Sequence, residues 1–268
     1  MTDTNRAHMV THKRVVVKVG TTTLTYENGK LNLKRIEQIA WVLTDLRNRG
    51  KEVILVSSGA IAVGADRLGL AERPRDIRGK QAASAVGQAA LMQIYENFFM
   101  SYNQKIAQVL LTKDVFDDPA RQALAGNTFE ALMEMGVIPI VNENDTVSTA
   151  ELGFSDNDSL SALVASLLHA DVLCILSDTD GLYDSDPKLN PSAKQIPFAD
   201  GVDDALLAVA GDSASKLGTG GMFTKITAAK TAAETGTDTV IILGTNPALL
   251  FDVLKGKTTG TLIRAPRA

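Results

Sequence analysis

The hydrophobic pattern along the chain alternates between two kinds of segment. Short apolar runs rich in Val and Ile read as strands at Val15–Val19, Glu52–Val56, Ile106–Leu111, Val137–Val141, Val172–Leu176 and Val240–Leu243. Longer stretches with helical periodicity lie between them. In Leu31–Arg49, Ile36, Ile39, Leu43 and Leu46 share one face, and Gly50 stops the pattern. The others are the alanine-rich Gly79–Tyr102, then Ala120–Met135, Ser159–His169 and Thr224–Glu234, the last closed by Gly236. The strand runs are apolar throughout rather than alternating, as in a parallel sheet covered by helices on both faces. One stretch, Gly181–Asp200, breaks the rhythm: its Pro187, Pro191 and Pro197 among Asp and Asn predict turns or a hairpin.

Small and polar residues follow the apolar runs at once. The ends read Lys18-Val19-Gly20-Thr21-Thr22-Thr23, Ser57-Ser58-Gly59-Ala60, Asn142-Glu143-Asn144-Asp145, Ser177-Asp178-Thr179-Asp180-Gly181 and Gly244-Thr245-Asn246. In a parallel sheet such ends lie on one edge, where ligands bind. Lys18 sits inside Val-Val-Val-Lys-Val, a costly place unless its head reaches solvent or a charge. The adjacent Gly20 and threonines favour a phosphate contact over a lysine snorkelling outward.

The segment Gly218-Thr219-Gly220-Gly221-Met222-Phe223-Thr224-Lys225 is a glycine-rich turn running into a helix with a lysine in its first turn. A cation there opposes the helix dipole unless an anion is near. Glycines let successive N–H groups converge on such an anion. Half of a phosphate-transfer site answers this description; a solvated lysine on a surface helix is the plainer alternative. Asp145, Asp156, Asn157 and Asp158 form an acidic and amide cluster with three candidate partners. These are a divalent metal, a substrate ammonium, and the two lysines, which Asp158 would hold. A turn that merely caps the helix starting near Ser159 is the alternative. An EF-hand does not fit, because Ser161 stands at the glycine position and no Glu closes the loop.

Composition narrows these readings. Apolar residues make up 45% and charged residues 22%, and the net charge of −4 does not favour nucleic acid or an anionic membrane. No run approaches the ~20 apolar residues of a membrane span. The single cysteine, Cys174, lies in an apolar run and reads as a buried structural thiol, which fits a reducing cytoplasm. Met1–Lys13 is polar, lacks a signal-peptide stretch and is expected to be a disordered tail. The P-loop pattern fails because Phe251 replaces the upstream glycine of Gly256-Lys257-Thr258, and G-x-G-x-x-G fails at Phe223. There is no C-x-x-C, and no zinc-type histidine spacing is recognised. His8 and His12 fall in the tail and His169 ends a helix, so no histidine base is expected.

The motifs together resemble the amino acid kinase superfamily, and within it the members that phosphorylate the side-chain carboxylate of L-glutamate. They are Lys18-Val19-Gly20, Val56–Ile61, Asn142–Asp145, Ser155–Ser161, Asp180–Tyr183 and Gly218–Lys225, spread in the family's order over nearly the whole chain. The resemblance implies a three-layer α/β/α sandwich with an open, mostly parallel central sheet. It implies one domain over 14–268, its N-terminal part mainly glutamate-binding and its C-terminal part mainly nucleotide-binding, without the PUA domain that many members carry. Lys18, Asp158 and Lys225 match catalytic positions. Ser58, Gly59, Asp145 and Asn157 match glutamate-binding positions. Lys18, Ser177, Asp178, Thr219, Gly220, Gly221, Met222, Phe223, Thr224 and Lys225 match the nucleotide site, with Ser177 standing where threonine is common.

ATP and Mg²⁺ follow as cofactors, the metal carried by ATP and not held by protein side chains. The resemblance further implies the first step of proline biosynthesis, feedback inhibition by proline, and a homo-oligomer (dimer or tetramer). The acyl phosphate product would hydrolyse readily, so hand-over to glutamyl phosphate reductase is an open expectation, while composition points to a cytoplasmic location with no nucleic-acid or membrane partner. Sibling kinases acting on aspartate, N-acetylglutamate or carbamate are the nearest alternatives, and a non-catalytic amino-acid sensor is another. Retention of Lys18, Asp158 and Lys225 favours catalysis over sensing.

Overall fold

The computed structural model describes residues 3–148, 156–187, 189–212 and 221–266. A 3-10 helix (Thr4–Thr11) leads into β1 (Arg14–Val19). Then follow α1 (Thr21–Leu24), α2 (Leu33–Asn48), β2 (Glu52–Ser57), α3 (Ala60–Arg67), α4 (Ile77–Met100), β3 (Ile106–Leu111), α5 (Asp114–Asp117), α6 (Pro119–Glu134) and β4 (Ile138–Glu143). The remainder holds α7 (Asn157–Leu167), β5 (Val172–Ser177), β6 (Leu182–Tyr183), β7 (Gln195–Ile196), β8 (Phe198–Asp200), α8 (Asp204–Asp212), α9 (Met222–Ala233), β9 (Asp238–Leu243), α10 (Leu249–Val253) and β10 (Thr261–Arg264). The chain divides into two compact units, Val19–Phe154 and a second made of Met1–Lys18 with Ser155–Ala268.

In the first unit the strands run in the order β3-β4-β2 and all pair in parallel. β2 and β4 are buried almost throughout, as their unbroken apolar runs require; β3, at the edge, is half-buried. Helices begin where side chains satisfy free N–H groups. Asn32 caps α2, Asp118 caps α6 ahead of Pro119, and Asp76 caps α4 by accepting from Gly79 N at 2.8 Å. That last cap starts α4 two residues before the apolar pattern suggests. α3 and α4 cross at backbone contact. A β-carbon at Gly64 would overlap the Ala83 carbonyl, and one at Gly87 the Ala60 carbonyl.

In the second unit the order is β1-β5-β9-β10-β8. β5 pairs in parallel with β9, β9 antiparallel with β10, and β10 in parallel with β8. β8 and β10 escape the sequence pattern because runs of three or four residues carry no readable period. β6 and β7 make a separate antiparallel hairpin within the proline-rich stretch, as expected there. Leu182 N donates to Thr261 Oγ1 at 2.7 Å and ties this hairpin to β10. The chain is thus α/β, with eight mostly parallel strands flanked by helices. Cys174 is buried in β5, and burial pushes its thiol pKa up to about 12, which suits a structural residue. No helix among the described residues is long and apolar enough to cross a membrane.

The N-terminal segment corrects the expectation of a disordered tail. Met1 and Thr2 lie outside the described residues, but Thr4–Thr11 is helical and buries Arg6 and Met9. The Arg6 guanidinium donates to the carbonyls of Thr259 (2.6 Å), Pro197 (2.6 Å) and Gly260 (2.8 Å). His8 Nε2 and His12 Nε2 lie 2.6 and 3.2 Å from Asp238 Oδ2. Burial opposes the charge on Asp238; His12, the Ala265 N–H and His8 together outweigh it and hold the carboxyl below its usual range. The segment is polar because its partners are polar groups about two hundred residues away, which a local reading does not register.

Candidate active site

Lys18, near the end of β1, Asp158, in the first turn of α7, and Lys225, in the first turn of α9, meet inside the second unit. Lys18 Nζ lies 2.6 Å from Asp158 Oδ1, and Lys225 Nζ lies 3.4 Å from Asp158 Oδ2. Asp158 is wholly buried, while Lys18 and Lys225 are 6% and 5% exposed. The Thr224 hydroxyl stands 2.8 Å from both Asp158 Oδ2 and the Gly221 carbonyl. Burial alone works to raise the Asp158 pKa; the charges of Lys18 and Lys225, with hydrogen bonds from Lys18 and Thr224, reverse that and hold it low. Asp158 also stands at a helix N-terminus, where a carboxylate is favoured. Lys225 stands at one where a cation is not, and Asp158 supplies the anion it needs. Asp158 thus faces both lysines in a low-dielectric place.

The start of α9 is open to an anion. Gly221 caps it without a side-chain hydrogen bond, and a β-carbon there would meet nothing within 4 Å. Among the described residues no side chain caps the first N–H groups of α9, the arrangement that binds phosphate at helix N-termini. Met222 and Thr224 are half-buried and Phe223 is exposed. Ser177, buried at the end of β5, places its Oγ 3.2 Å from Oδ1 of the exposed Asp178 and 3.3 Å from Thr179 Oγ1. Gly218, Thr219 and Gly220 lie outside the described residues. These features fit a triphosphate. Asp158 has one oxygen against Lys18 and the other against Lys225 and Thr224.

The remaining predicted residues divide between the units. In the first unit, Ser58 N donates to Val19 O at 3.1 Å directly after β2. Gly59 follows with φ +104, a left-handed conformation that an L side chain rarely adopts, and caps α3. Asp145 sits in the turn after β4, where Ser84 Oγ donates to its Oδ2 at 2.7 Å. Burial raises the Asp145 pKa, against the Ser84 hydrogen bond and the charge of Lys80. The neighbouring loop is held by Ser148 Oγ on Glu143 Oε1 (2.5 Å) and Gln81 Nε2 on the Ser148 carbonyl (3.1 Å). Gln88 accepts from Asn142 Nδ2 at 3.0 Å. Asn157, in the second unit, is the first residue of α7 and half-buried, while Asp156 performs the capping by accepting from Ser159 N at 2.8 Å.

Sequence reasoning missed Gln81, Ser84 and Gln88. Their signal was present: three polar residues at helical spacing on one face of the alanine-rich α4. It also missed the link from Thr224 to Asp158. Among the described residues the one His and carboxylate grouping tight enough for a metal is His8, His12 and Asp238, at the start of β9.

The amino acid kinase family model matches residues 13–244, and the chain belongs to that family. Within it, the chain is similar to proteins named glutamate 5-kinase. It is 51% identical over 259 residues to that of Clostridium perfringens (strain 13 / Type A), covering 95% of this chain and 96% of the relative. It is 48% identical over 266 residues to that of Listeria innocua serovar 6a, covering 98% and 96%. Two solved structures share the fold at low identity. An isopentenyl phosphate kinase from T. acidophilum has TM-score 0.65 and 18% identity, covering 94% of this chain and all of that one. A UMP kinase from Bacillus anthracis has TM-score 0.64 and 19% identity, covering 96% and 97%.

Proposed function

We propose that this chain transfers the γ-phosphoryl group of ATP to the side-chain carboxylate of L-glutamate, giving L-glutamyl 5-phosphate and ADP, the first step of proline biosynthesis from glutamate. The observation that carries the proposal is the buried Lys18–Asp158–Lys225 cluster beside the uncapped start of α9. Relatives named glutamate 5-kinase at about half identity support the choice of substrate.

The acceptor carboxylate has a pKa of about 4.3 and is ionised at neutral pH, so no general base is needed. The obstacle is an anion approaching a triphosphate. Lys18 and Lys225 supply positive charge where the transferring group gains negative charge, and Asp158 fixes both ammonium groups. The N–H groups at the start of α9, which no described side chain caps, add oriented donors. Mg²⁺, bound to the phosphates of ATP, would neutralise further charge there. Ser58, Gly59 and Asn157 are assigned to glutamate, and Asp145 to its α-ammonium group. The half-buried Asp145 carboxylate, costly in its charged form, gains a further partner when that cation arrives.

The product is an acyl phosphate, which hydrolyses readily; this supports hand-over to a reductase. Feedback inhibition by proline, a homo-oligomeric assembly and a cytoplasmic location belong to the same proposal and rest on the family resemblance. The test is hydroxamate formation from L-glutamate with ATP and Mg²⁺ in the presence of hydroxylamine, which traps the acyl phosphate. The expected outcome is glutamyl hydroxamate in proportion to ADP. Turnover with aspartate or N-acetylglutamate in place of glutamate assigns a sibling activity. Glutamate binding without ATP turnover assigns a sensor.

A further inference from the structure

We propose that His8, His12 and Asp238 form a site for a borderline divalent cation of the Zn²⁺ class, which fastens the N-terminal 3-10 helix to the start of β9. His8 lies in that helix and His12 is its C-cap, so the spacing of four residues places both rings over one acceptor. The rings meet edge to face, 5.2 Å between centroids at 71°. Both Nε2 atoms converge on Asp238 Oδ2, at 2.6 and 3.2 Å, and all three ligand atoms lie within 4.8 Å of one another. A tetrahedral ion with bonds of roughly 2.0–2.2 Å keeps its ligand atoms about 3.3 Å apart, so a small opening of the present cluster admits it.

The surroundings fit as well. Asp238 Oδ1 accepts from Ala265 N at 2.8 Å, which turns Oδ2 toward the histidines in the manner of an outer-shell bond to a metal ligand. The His8, His12 and Asp238 side chains are 17%, 11% and 3% exposed, sheltered yet open enough for an ion and a water to enter. Two imidazoles and one carboxylate suit zinc and its neighbours, whereas magnesium and calcium take oxygen ligands, so Mg²⁺ travelling with ATP does not compete. Asp238 opens β9, whose opposite end runs into Gly244, bonded to Ser177 O at 2.6 Å. The ion would thus act on stability and not on phosphoryl transfer. The His8-x-x-x-His12 spacing thus corrects the reading that the sequence holds no zinc-type histidine pair; the third ligand, 226 residues beyond His12, has no local signal.

The experiment uses tag-free, chelator-treated protein in Mg²⁺ buffer, titrated with Zn²⁺ by calorimetry and with Co²⁺ by visible absorbance. The expected result is one ion per chain and Co²⁺ bands of nitrogen and oxygen ligation. At about 100 times Kd, Zn²⁺ is expected to raise Tm by roughly 5–10 °C. His8→Ala and His12→Ala should each weaken binding at least tenfold (~10-fold or more), with His169→Ala unchanged. Asp238→Asn, whose amide oxygen still accepts from Ala265 N, should also lose binding while keeping its fold. Absence of saturable one-to-one binding overturns the proposal. So does undiminished binding in the His8→Ala/His12→Ala double variant, or a Tm indifferent to Zn²⁺.

Discussion

Asp158 and Asp145 are carboxylates in loop-proximal positions of the two units, and the fold treats them in opposite ways. Asp158 is wholly buried, faces two lysines and a threonine hydroxyl, and is held below the usual carboxylate range. Asp145 is half-buried with a hydrogen bond from Ser84, and burial raises its pKa. The first charge is matched within the protein, so it positions other groups. The second is costly in its charged form, so it is suited to a cation from outside. A carboxylate's role thus follows from how much of its charge the fold already answers.

The largest effect is expected at Asp158. Asp158→Asn leaves two buried ammonium groups without their anion, and breaking a buried pair in this way costs about 3–5 kcal/mol. Urea denaturation should show that loss together with a collapse of kcat. Because the folded pKa of Asp158 is depressed, its contribution is complete above the unfolded value of about 3.9 and disappears as pH falls through the folded one. A variant with wild-type stability would erase the contrast with Asp145.

Asp145→Asn comes next and sharpens the comparison. The KM for glutamate should rise at least tenfold, as expected for loss of a charge-assisted contact of ~1.5–3 kcal/mol. Its Tm should stay level or increase, since the folded state no longer bears a desolvated carboxylate. An unaltered KM with a lowered Tm would make Asp145 structural. Ser84→Ala should have the smallest effect. Removing its hydrogen bond pushes the Asp145 pKa higher still, so the rise in glutamate KM on acidification should begin at a higher pH than in the parent protein. Identical pH profiles for KM would detach Ser84 from the site.

Six strands were legible because each is dominated by Val, Ile and Leu, most of them on two buried faces. Lys18 stood out for the same reason: a charge inside such a run demands a partner. That partner, Asp158, is 140 positions away by sequence number, and the sequence left it open among a metal, an ammonium and the lysines. β8, β10 and the N-terminal helix were illegible because long-range hydrogen bonds, such as those of Arg6, hold them in place of local periodicity. β9 was read two residues short, since Asp238 and Thr239 disguise a strand start that is nonetheless buried. The close crossing of α3 on α4 hinges on Gly64 and Gly87, which look like ordinary helix-weakening glycines until the facing backbone is seen.

The steady-state kcat of Lys225→Ala, measured by glutamyl hydroxamate formation at saturating ATP and glutamate, probes the account most directly. Loss of one oriented cation at the transferring group should lower kcat by about 10²–10³, with the glutamate KM changed only slightly. A kcat equal to that of the parent protein would remove the lysine pair from phosphoryl transfer and contradict the assignment.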